Sequence, residues 1–204
     1  MQSVTPSFGV SNYYRATVTP YTVYAPLQGQ HTARIAIIGA GYAGLNTALS
    51  LIERGVKDII VLEAEQIGHG ASGRNGGFVF AGYSLGEQAL INRLGIVSAR
   101  DLYTRSVVAV NTIRQRIARY RIPCSVVDAG VIWANWFRDE NVLRSRQRLL
   151  AENFGVEWQW IARERLRELV HSERYSGGLF ESNALHMHPL NYAIGLAAAV
   201  VEQG

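Results

Sequence analysis

The chain contains a single cysteine, Cys124, among its 204 residues. One thiol excludes a disulfide within the chain and any metal site built from a cluster of cysteines. The sequence also lacks an apolar stretch of about 18 residues, the length needed to suggest a membrane-spanning helix. Residues 1–30 have neither the charged start nor the apolar core of a signal peptide. We therefore expect no membrane partner and a location in the reducing cytoplasm.

Positive charge is present but not concentrated. The formal net charge is +4 and the sequence pI is about 9.4, yet the arginines are spread over several predicted helices. A nucleic-acid partner would call for a basic tract or face, so we expect none. The hydrophobic content of 48% and the mean hydropathy of +0.02 indicate a folded globular chain and not a disordered one.

A βαβ pattern dominates the first half of the sequence. Residues 35–38 (IAII) form an apolar, β-branched run that is typical of a parallel strand buried on both faces. The glycine-rich run GAGYAG follows, and apolar residues then recur at helical spacing from Leu45 to Ile52. Gly55 predicts the end of that helix, and residues 59–62 form a second strand that leads into Glu63.

The residue types at the first turn have separate physical roles in binding a dinucleotide. Gly39 permits the tight turn, Gly41 lets the backbone approach a pyrophosphate, and Gly44 lets the helix pack closely on the strand. Glu63, 19 residues after Gly44, suits hydrogen bonds from ribose hydroxyls. A purely structural glycine turn is the alternative. We predict a cofactor site that includes Gly39, Gly41, Tyr42, Ala43, Gly44, Glu63 and Ala64.

A second glycine-rich loop, GHGASGRNGG, covers residues 68–77. A nicotinamide-dependent dehydrogenase has no obvious use for it there, whereas FAD binds in an extended form and needs a second loop to hold its diphosphate and approach the isoalloxazine ring. Side chains in the loop offer hydrogen-bond donors, and its glycines allow backbone N–H groups to form an anion nest. The alternative is a flexible surface loop with a solvated arginine. The predicted contacts are Ser72, Gly73, Arg74, Asn75, Gly76 and Gly77.

These motifs resemble one known family. The stretches GAGYAGLNTALSLIERG and VLEAEQIGHGASGRNGG are similar to the N-terminal region of the D-amino-acid-oxidase-type (DAO) FAD-dependent oxidoreductases. Within that family, the segment HMHPLNYAIG at residues 186–195 and the aromatic leader around Tyr13-Tyr14 and residues 24–27 are similar to the subfamily that oxidises gamma-glutamylputrescine. The resemblance spans nearly all of this chain but only about the first half of such an enzyme.

The resemblance implies FAD as cofactor and a Rossmann-like α/β fold with part of an antiparallel substrate-side sheet. It also implies a small amine substrate, oxidised to an imine and then an aldehyde with oxygen as acceptor, in polyamine breakdown. Phe78 departs from the family, whose members often carry a polar residue directly after GRNGG. Catalytic residues remain unknown, because no convincing acid or base occurs in this half.

Two rival functions stay open at this point. The chain could be a truncated, inactive fragment or a bare FAD-binding module, since the family pattern continues beyond residue 204. It could also be a nicotinamide-dependent Rossmann dehydrogenase, although that leaves the second glycine loop unexplained. A short parallel sheet has open edges through which the chain could self-associate.

The predicted organisation has four parts. They are an extended leader (1–30), an FAD-binding βαβ core with the second loop (31–95), a helical and substrate-side segment (96–185), and a return to the FAD-binding domain (186–204). The tyrosines of the leader either pin it to the folded body or leave it disordered. We expect no metal site, because His186 and His188 lack a third and fourth ligand and fit a structural or site-lining role better.

Three further predictions concern residues 78–160. Residues 78–80 (FVF) are predicted to be buried. A capping box at residues 98–101 predicts a new helix that ends before Pro123 and carries Arg114, Arg116 and Arg119 on its solvated side. The four tryptophans are predicted to be core aromatics. They are Trp133, Trp136, Trp158 and Trp160.

Overall fold

The computed structural model describes residues 12–204, so the first eleven residues of the predicted leader lie outside it. The strands are β1 (Ile35–Ile38), β2 (Ile59–Leu62), β3 (Phe78–Val79), β4 (Val131–Ala134), β5 (Gln159–Ala162), β6 (Gly177–Glu181) and β7 (Leu185–His186). The helices are α1 (Tyr13–Ala16), α2 (Tyr42–Glu53), α3 (Glu87–Arg119), α4 (Asn141–Phe154), α5 (Arg163–Val170) and α6 (Pro189–Gln203), with a 3-10 turn at Ala71–Gly73. In this part of the chain, no helix has the length and apolar character needed to cross a bilayer.

The chain divides into two compact units, each assembled from separate stretches of sequence. The first unit contains residues 12–77, Gln115–Val126 and Met187–Gly204. The second unit contains Phe78–Arg114 and Val127–His186. The sequence analysis divided the chain into four consecutive parts. In the structure, by contrast, the chain leaves the first unit after Gly77 and returns to it twice, at Gln115 and at Met187.

The first unit is built on the predicted βαβ motif. β1 and β2 pair in parallel, with Ile35 opposite Ile59 and Ile38 opposite Leu62. α2 connects them and ends at Glu53, directly before Arg54 and a left-handed Gly55. This confirms the Rossmann-like α/β class that the sequence predicted.

The burial of β1 differs from the prediction. Ala36 and Ile38 are exposed, and Ile38 keeps 80% of its accessible surface, whereas Ile35 and Ile37 are partly buried. A strand is buried on both faces only where other elements pack on each face. Ile37 lies beside Gly44 of α2, whereas the opposite face, which carries Ile38, is uncovered in the described residues.

Two helices form the core of the first unit. α6 packs on α2, and Pro189 stands at the first position of α6, where its missing N–H costs nothing. The helix that the sequence predicted from Leu190 is therefore confirmed, one residue longer at its start. The most buried apolar side chains of the pair are Leu45, Ala48, Leu49, Leu190, Tyr192, Ala193, Leu196 and Ala197.

The second unit contains the antiparallel sheet that the sequence predicted. β6 lies in the centre, with β4 and β5 antiparallel on its two sides, and β3 pairs separately with β7. Its hydrophobic core contains Tyr103, Leu150, Trp158 and Leu179 among other residues. α4 ends at the left-handed Gly155, as the sequence predicted.

A second helical segment is present as the sequence predicted, but it begins before Ser98. The helical run starts at Glu87 and continues to Arg119, and Ser98 lies inside it. The interruption comes earlier, at Gly95, whose φ of 76° and ψ of 161° are not helical. Gly95 accepts that conformation because it has no Cβ, so it forms a kink between two helical segments instead of the predicted cap.

Three burial predictions are also wrong. Phe78 keeps 61% of its accessible surface on a two-residue strand, where its ring centroid lies 6.2 Å from that of His186 on the partner strand. Trp136 is 56% exposed in the loop after β4, whereas Trp158 is buried. Arg116 was predicted on a solvated surface but is only 5% exposed, since three polar side chains of α2 surround its guanidinium.

Candidate cofactor site

The first glycine turn closes tightly between β1 and α2. Gly41 is the N-terminal cap of α2, and Gly39 takes a φ of +100°. A Cβ added at Gly44 would lie 1.9 Å from the carbonyl oxygen of Gly39. The close packing that the sequence assigned to Gly44 is therefore a steric requirement of this turn. With Gly44 at this position, the turn leaves the N-terminus of α2 open to an anion.

Glu63 is held against the same turn. Its Oε2 accepts a hydrogen bond from the Ala40 amide at 2.8 Å, and its Oε1 accepts one from the Glu65 amide at 3.0 Å. A carboxylate oxygen has two acceptor sites, so each oxygen can still accept a hydroxyl hydrogen. The arrangement suits the predicted contact with ribose hydroxyls, because the carboxylate is already fixed in place.

The second glycine loop docks onto the first turn. Ser72 Oγ accepts a hydrogen bond from the Tyr42 amide at 2.9 Å, and the Gly68 amide donates to the Ala40 carbonyl at 3.0 Å. Because Ser72 Oγ is the acceptor in its bond, its own hydrogen is available to donate to a phosphate oxygen. The structure thus brings the two predicted loops together at the N-terminus of α2.

Asn75 and Arg74 have different surroundings from Ser72. The Asn75 amide group donates to the carbonyl oxygens of Ala71 and Ser72 at 3.2 and 3.0 Å, and its oxygen accepts from the Gly77 amide at 2.9 Å. Asn75 therefore shapes the loop from within. Arg74 is exposed, with Nη2 3.4 Å from a ring nitrogen of His69. Direct contacts of these two side chains with a cofactor stay predictions, as do those of Gly73 and Gly76.

Tyr42 connects the site to α6. Its hydroxyl donates to the Pro189 carbonyl at 2.9 Å, and its ring meets that of Tyr192 edge-on, with centroids 5.5 Å apart. Burial raises the pKa of Tyr42 to about 12, so the hydroxyl stays protonated and keeps this bond over the physiological range. The first turn is thereby anchored to the N-terminus of α6, which begins at Pro189.

A cavity of about 820 Å³ lies within the first unit. Its walls include Ala40, Glu63, Ala64 and Gln66, together with leader residues 21–27 and apolar side chains of β2, α2 and α6. Gln66 Oε1 is buried and has no hydrogen-bond partner among the described residues, so it can accept a donor from a ligand. The sequence analysis missed Gln66, because nothing in its spacing distinguishes it from other loop residues.

These features fit a dinucleotide. The cavity has the size of a ligand pocket, which ranges from about 300 to 1,000 Å³, and it reaches the glycine turn only at Ala40 and Glu63, because Gly39, Gly41 and Ser72 are not part of its wall. Glu63 and Gln66 offer acceptors, Ser72 offers a donor, and the N-terminus of α2 offers a partial positive charge to phosphates. Geometry alone does not distinguish FAD from a nicotinamide dinucleotide.

Comparison with known proteins resolves that choice. The family model DAO, described as FAD dependent oxidoreductase, matches residues 34–204. The chain therefore belongs to the DAO family of FAD-dependent oxidoreductases, and its cofactor is FAD. This family membership removes the support for the nicotinamide-dependent alternative.

Two relatives are similar along nearly the whole chain. The sequence is 35% identical to gamma-glutamylputrescine oxidoreductase of Escherichia coli over 190 residues, which cover 93% of this chain and 44% of that protein. It is 36% identical to probable oxidoreductase OrdL of Haemophilus influenzae over 196 residues, which cover 96% of this chain and 45% of that protein. The chain thus spans less than half the length of these relatives.

A solved structure supports the fold. The L-alpha-glycerophosphate oxidase of Mycoplasma pneumoniae, described with FAD bound, aligns with a TM-score of 0.61 at 16% identity. The alignment covers 85% of this chain and 44% of that one. At this level of identity the likeness concerns the fold alone, and it agrees with the α/β architecture described above.

Proposed function

We propose that this chain is the cofactor-binding part of an FAD-dependent oxidase that converts an amine similar to gamma-glutamylputrescine to an imine. The observation that carries the proposal is the 35% identity to gamma-glutamylputrescine oxidoreductase over 93% of the chain. The imine would hydrolyse to an aldehyde, and oxygen would be the electron acceptor. The reaction would place the protein in polyamine breakdown, in the cytoplasm.

The chain's own residues would position the cofactor. Bound FAD would supply the redox chemistry, the net transfer of two electrons from the amine to oxygen with peroxide as the product. Ser72 would donate to the diphosphate beside the N-terminus of α2, and Glu63 would accept from the ribose. Gln66 would accept one further hydrogen bond within the cavity.

A direct test is the visible absorption spectrum of the purified 204-residue chain after incubation with FAD and gel filtration. Flavin bands that co-elute with the protein are expected. Anaerobic addition of gamma-glutamylputrescine should then bleach those bands, whereas glycine and free putrescine serve as comparison substrates. Peroxide release after admission of air measures the use of oxygen.

Each outcome of this experiment has a separate meaning. Bound flavin that gamma-glutamylputrescine bleaches supports the proposed oxidase. Bound flavin that no amine bleaches would contradict the oxidase proposal for this chain and favour a bare FAD-binding module. A protein that binds no FAD would point to an inactive fragment.

We also propose that the open face and edges of the β1–β2 sheet let the chain self-associate. The exposure of Ile38 supports this, because apolar side chains on an uncovered sheet favour pairing with another chain. Light scattering after gel filtration should show dimers or larger species, and Ile38→Lys should shift them toward monomer. A wild-type chain that stays monomeric at high concentration would contradict this proposal.

A further inference from the structure

The leader is fastened to the N-terminus of α6 through one histidine. Thr17 follows the short helix α1, and its hydroxyl donates to the Tyr13 carbonyl at 2.7 Å. The same hydroxyl oxygen lies 3.1 Å from His188 Nε2. Since the single hydroxyl hydrogen is already used, Thr17 can only accept in this second bond, and His188 Nε2 must carry a hydrogen.

The other ring nitrogen caps α6. His188 Nδ1 lies 3.1 Å from the Asn191 amide and accepts its hydrogen, so Nδ1 must be unprotonated. Both contacts therefore require the same neutral tautomer, with hydrogen on Nε2 alone. One ring completes the N-terminus of a helix and holds the leader at the same time.

Two further contacts hold the same stretch of the leader. The Tyr14 ring meets the His188 ring edge-on, with centroids 5.1 Å apart. The Thr19 amide donates to Asn191 Oδ1 at 3.1 Å. Residues 13–19 thus contact two side chains of the HPLN sequence, His188 and Asn191.

We propose that His188 is an acid-sensitive latch that holds residues 13–19 of the leader on the N-terminus of α6. A proton on Nδ1 would point at the Asn191 amide hydrogen, so the cap would be lost. The imidazolium would also place a positive charge at the positive end of the α6 dipole. The ring then has to leave the position in which it contacts Tyr14 and Thr17.

The groups around His188 identify it as the titrating one. α1 contributes Tyr14 and Arg15, with Arg15 donating to the Ile67 carbonyl at 3.4 Å. The carbonyl of Cys124 accepts from the His188 amide at 2.7 Å, and burial raises the pKa of the Cys124 thiol to about 11. Tyr42 donates to the carbonyl of Pro189. Tyrosine, arginine and a buried thiol keep their charge between about pH 5 and 8, whereas histidine does not.

The direction of the pH effect follows from burial. Burial lowers the pKa of His188 from its ordinary value, so the folded, latched state favours the neutral ring. The latch is therefore closed above the ordinary histidine pKa of about 6.5. It weakens as the pH falls below that value and opens as the pH falls through the lowered pKa.

Opening of the latch has a consequence for the cofactor cavity. Residues 21–27 follow the latched stretch directly and form part of the wall of the 820 Å³ cavity. A leader released at Thr17 could move away from that wall. The latch would thereby make access to the cavity depend on pH.

Amide hydrogen exchange of the 204-residue chain at about pH 5 and pH 8, corrected for intrinsic rates, tests the latch. The informative amides are those of Ala16, Thr17 and Thr19, each of which is hydrogen-bonded in the latched state. In the wild type we expect their protection to fall on the order of tenfold at the lower pH, the effect of about one lost hydrogen bond. Equal protection at both pH values would overturn the proposal.

Two variants and one control separate the latch from a general acid effect. His188→Asn keeps a helix-capping oxygen but cannot titrate, so leader protection should no longer depend on pH. Thr17→Val leaves the cap intact and should reduce protection already at pH 8. His186→Asn, a change at the neighbouring exposed histidine, should behave as the wild type. A pH dependence that survives in His188→Asn, or full protection in Thr17→Val at pH 8, would refute the latch.

Discussion

Ser72 Oγ lies 2.9 Å from the amide nitrogen of Tyr42, so the second glycine loop reaches the first residue of α2. Two loops about 30 residues apart in sequence therefore meet at the N-terminus of α2, where we expect them to bind one anionic group together. Removal of this single hydroxyl should affect the cofactor more than the fold, since the loop keeps its other contacts.

Ser72→Ala should weaken FAD binding about tenfold, because it removes one hydrogen bond to the diphosphate and leaves the Tyr42 amide without its acceptor. Isothermal titration of the purified chain with FAD measures the change. Ser84→Ala, at an exposed serine of the second unit, is the matched control and should bind FAD as the wild type does. Equal affinities of the two variants would contradict the assigned contact.

Gly44→Ala should abolish FAD binding and lower the thermal unfolding temperature. The new methyl group would meet the Gly39 carbonyl oxygen at 1.9 Å, so the turn has to open. Gly86→Ala is a suitable control, because Gly86 lies outside both glycine loops and a Cβ there meets nothing within 4 Å. Differential scanning calorimetry with and without FAD compares the unfolding temperatures of the two variants and the shift that FAD causes in each. Retained binding in Gly44→Ala would show that this turn does not cradle the cofactor.

Glu63→Gln should reduce both stability and FAD affinity. The carboxylate accepts from two backbone amides, whereas a glutamine amide has one acceptor oxygen and would turn its NH₂ group toward the other donor. Because the Glu65 amide is exposed and can bond to water, the lost hydrogen bond should cost about 1 kcal/mol of folding stability. Urea unfolding and FAD titration provide the two measurements. Glu157→Gln, at an exposed position, serves as control, and identical behaviour of both variants would argue against the role of Glu63.

Arg116→Met should destabilise the first unit by about 3 kcal/mol, because it breaks a largely buried pair with Glu53. Hydrogen bonding to Arg116 holds the pKa of Glu53 below its ordinary value. The pair therefore stabilises the fold above the ordinary glutamate pKa of about 4.3, and this contribution is lost as the pH falls through the lowered value.

Urea unfolding at about pH 7 and pH 3.5 tests both parts of that prediction. The stability lost on acidification should be smaller in Arg116→Met than in the wild type. Arg105→Met removes an exposed pair with Asp101 on the same helix, α3. It should change neither the free energy of unfolding at about pH 7 nor the part of it that is lost on acidification. If Arg116→Met loses as much free energy of unfolding between about pH 7 and pH 3.5 as the wild type does, the assigned pair between Arg116 and Glu53 is contradicted.

The sequence was most informative where structure depends on neighbouring residues. The turn between β1 and α2 and the ends of helices at Gly55 and Gly155 follow from local backbone chemistry, and the structure confirms them. Arg116 was misplaced because Glu53, which holds it inside, is 63 residues away in sequence. Periodicity cannot reveal such a partner. The exposure of Ile38 likewise depends on whether a distant element packs on that face of the sheet, and the four residues of β1 do not carry that information.

All four tryptophans of the sequence belong to the second unit, whereas Tyr42 and Tyr192 belong to the first. The chain therefore carries separate optical reporters for its two halves. Tryptophan emission reports on the unit that contains the antiparallel sheet. Part of the tyrosine absorbance comes from the unit that contains the glycine turns. Coincident denaturation curves at the two wavelengths would show that the protein unfolds as one cooperative body, and separated curves would show that each unit melts by itself.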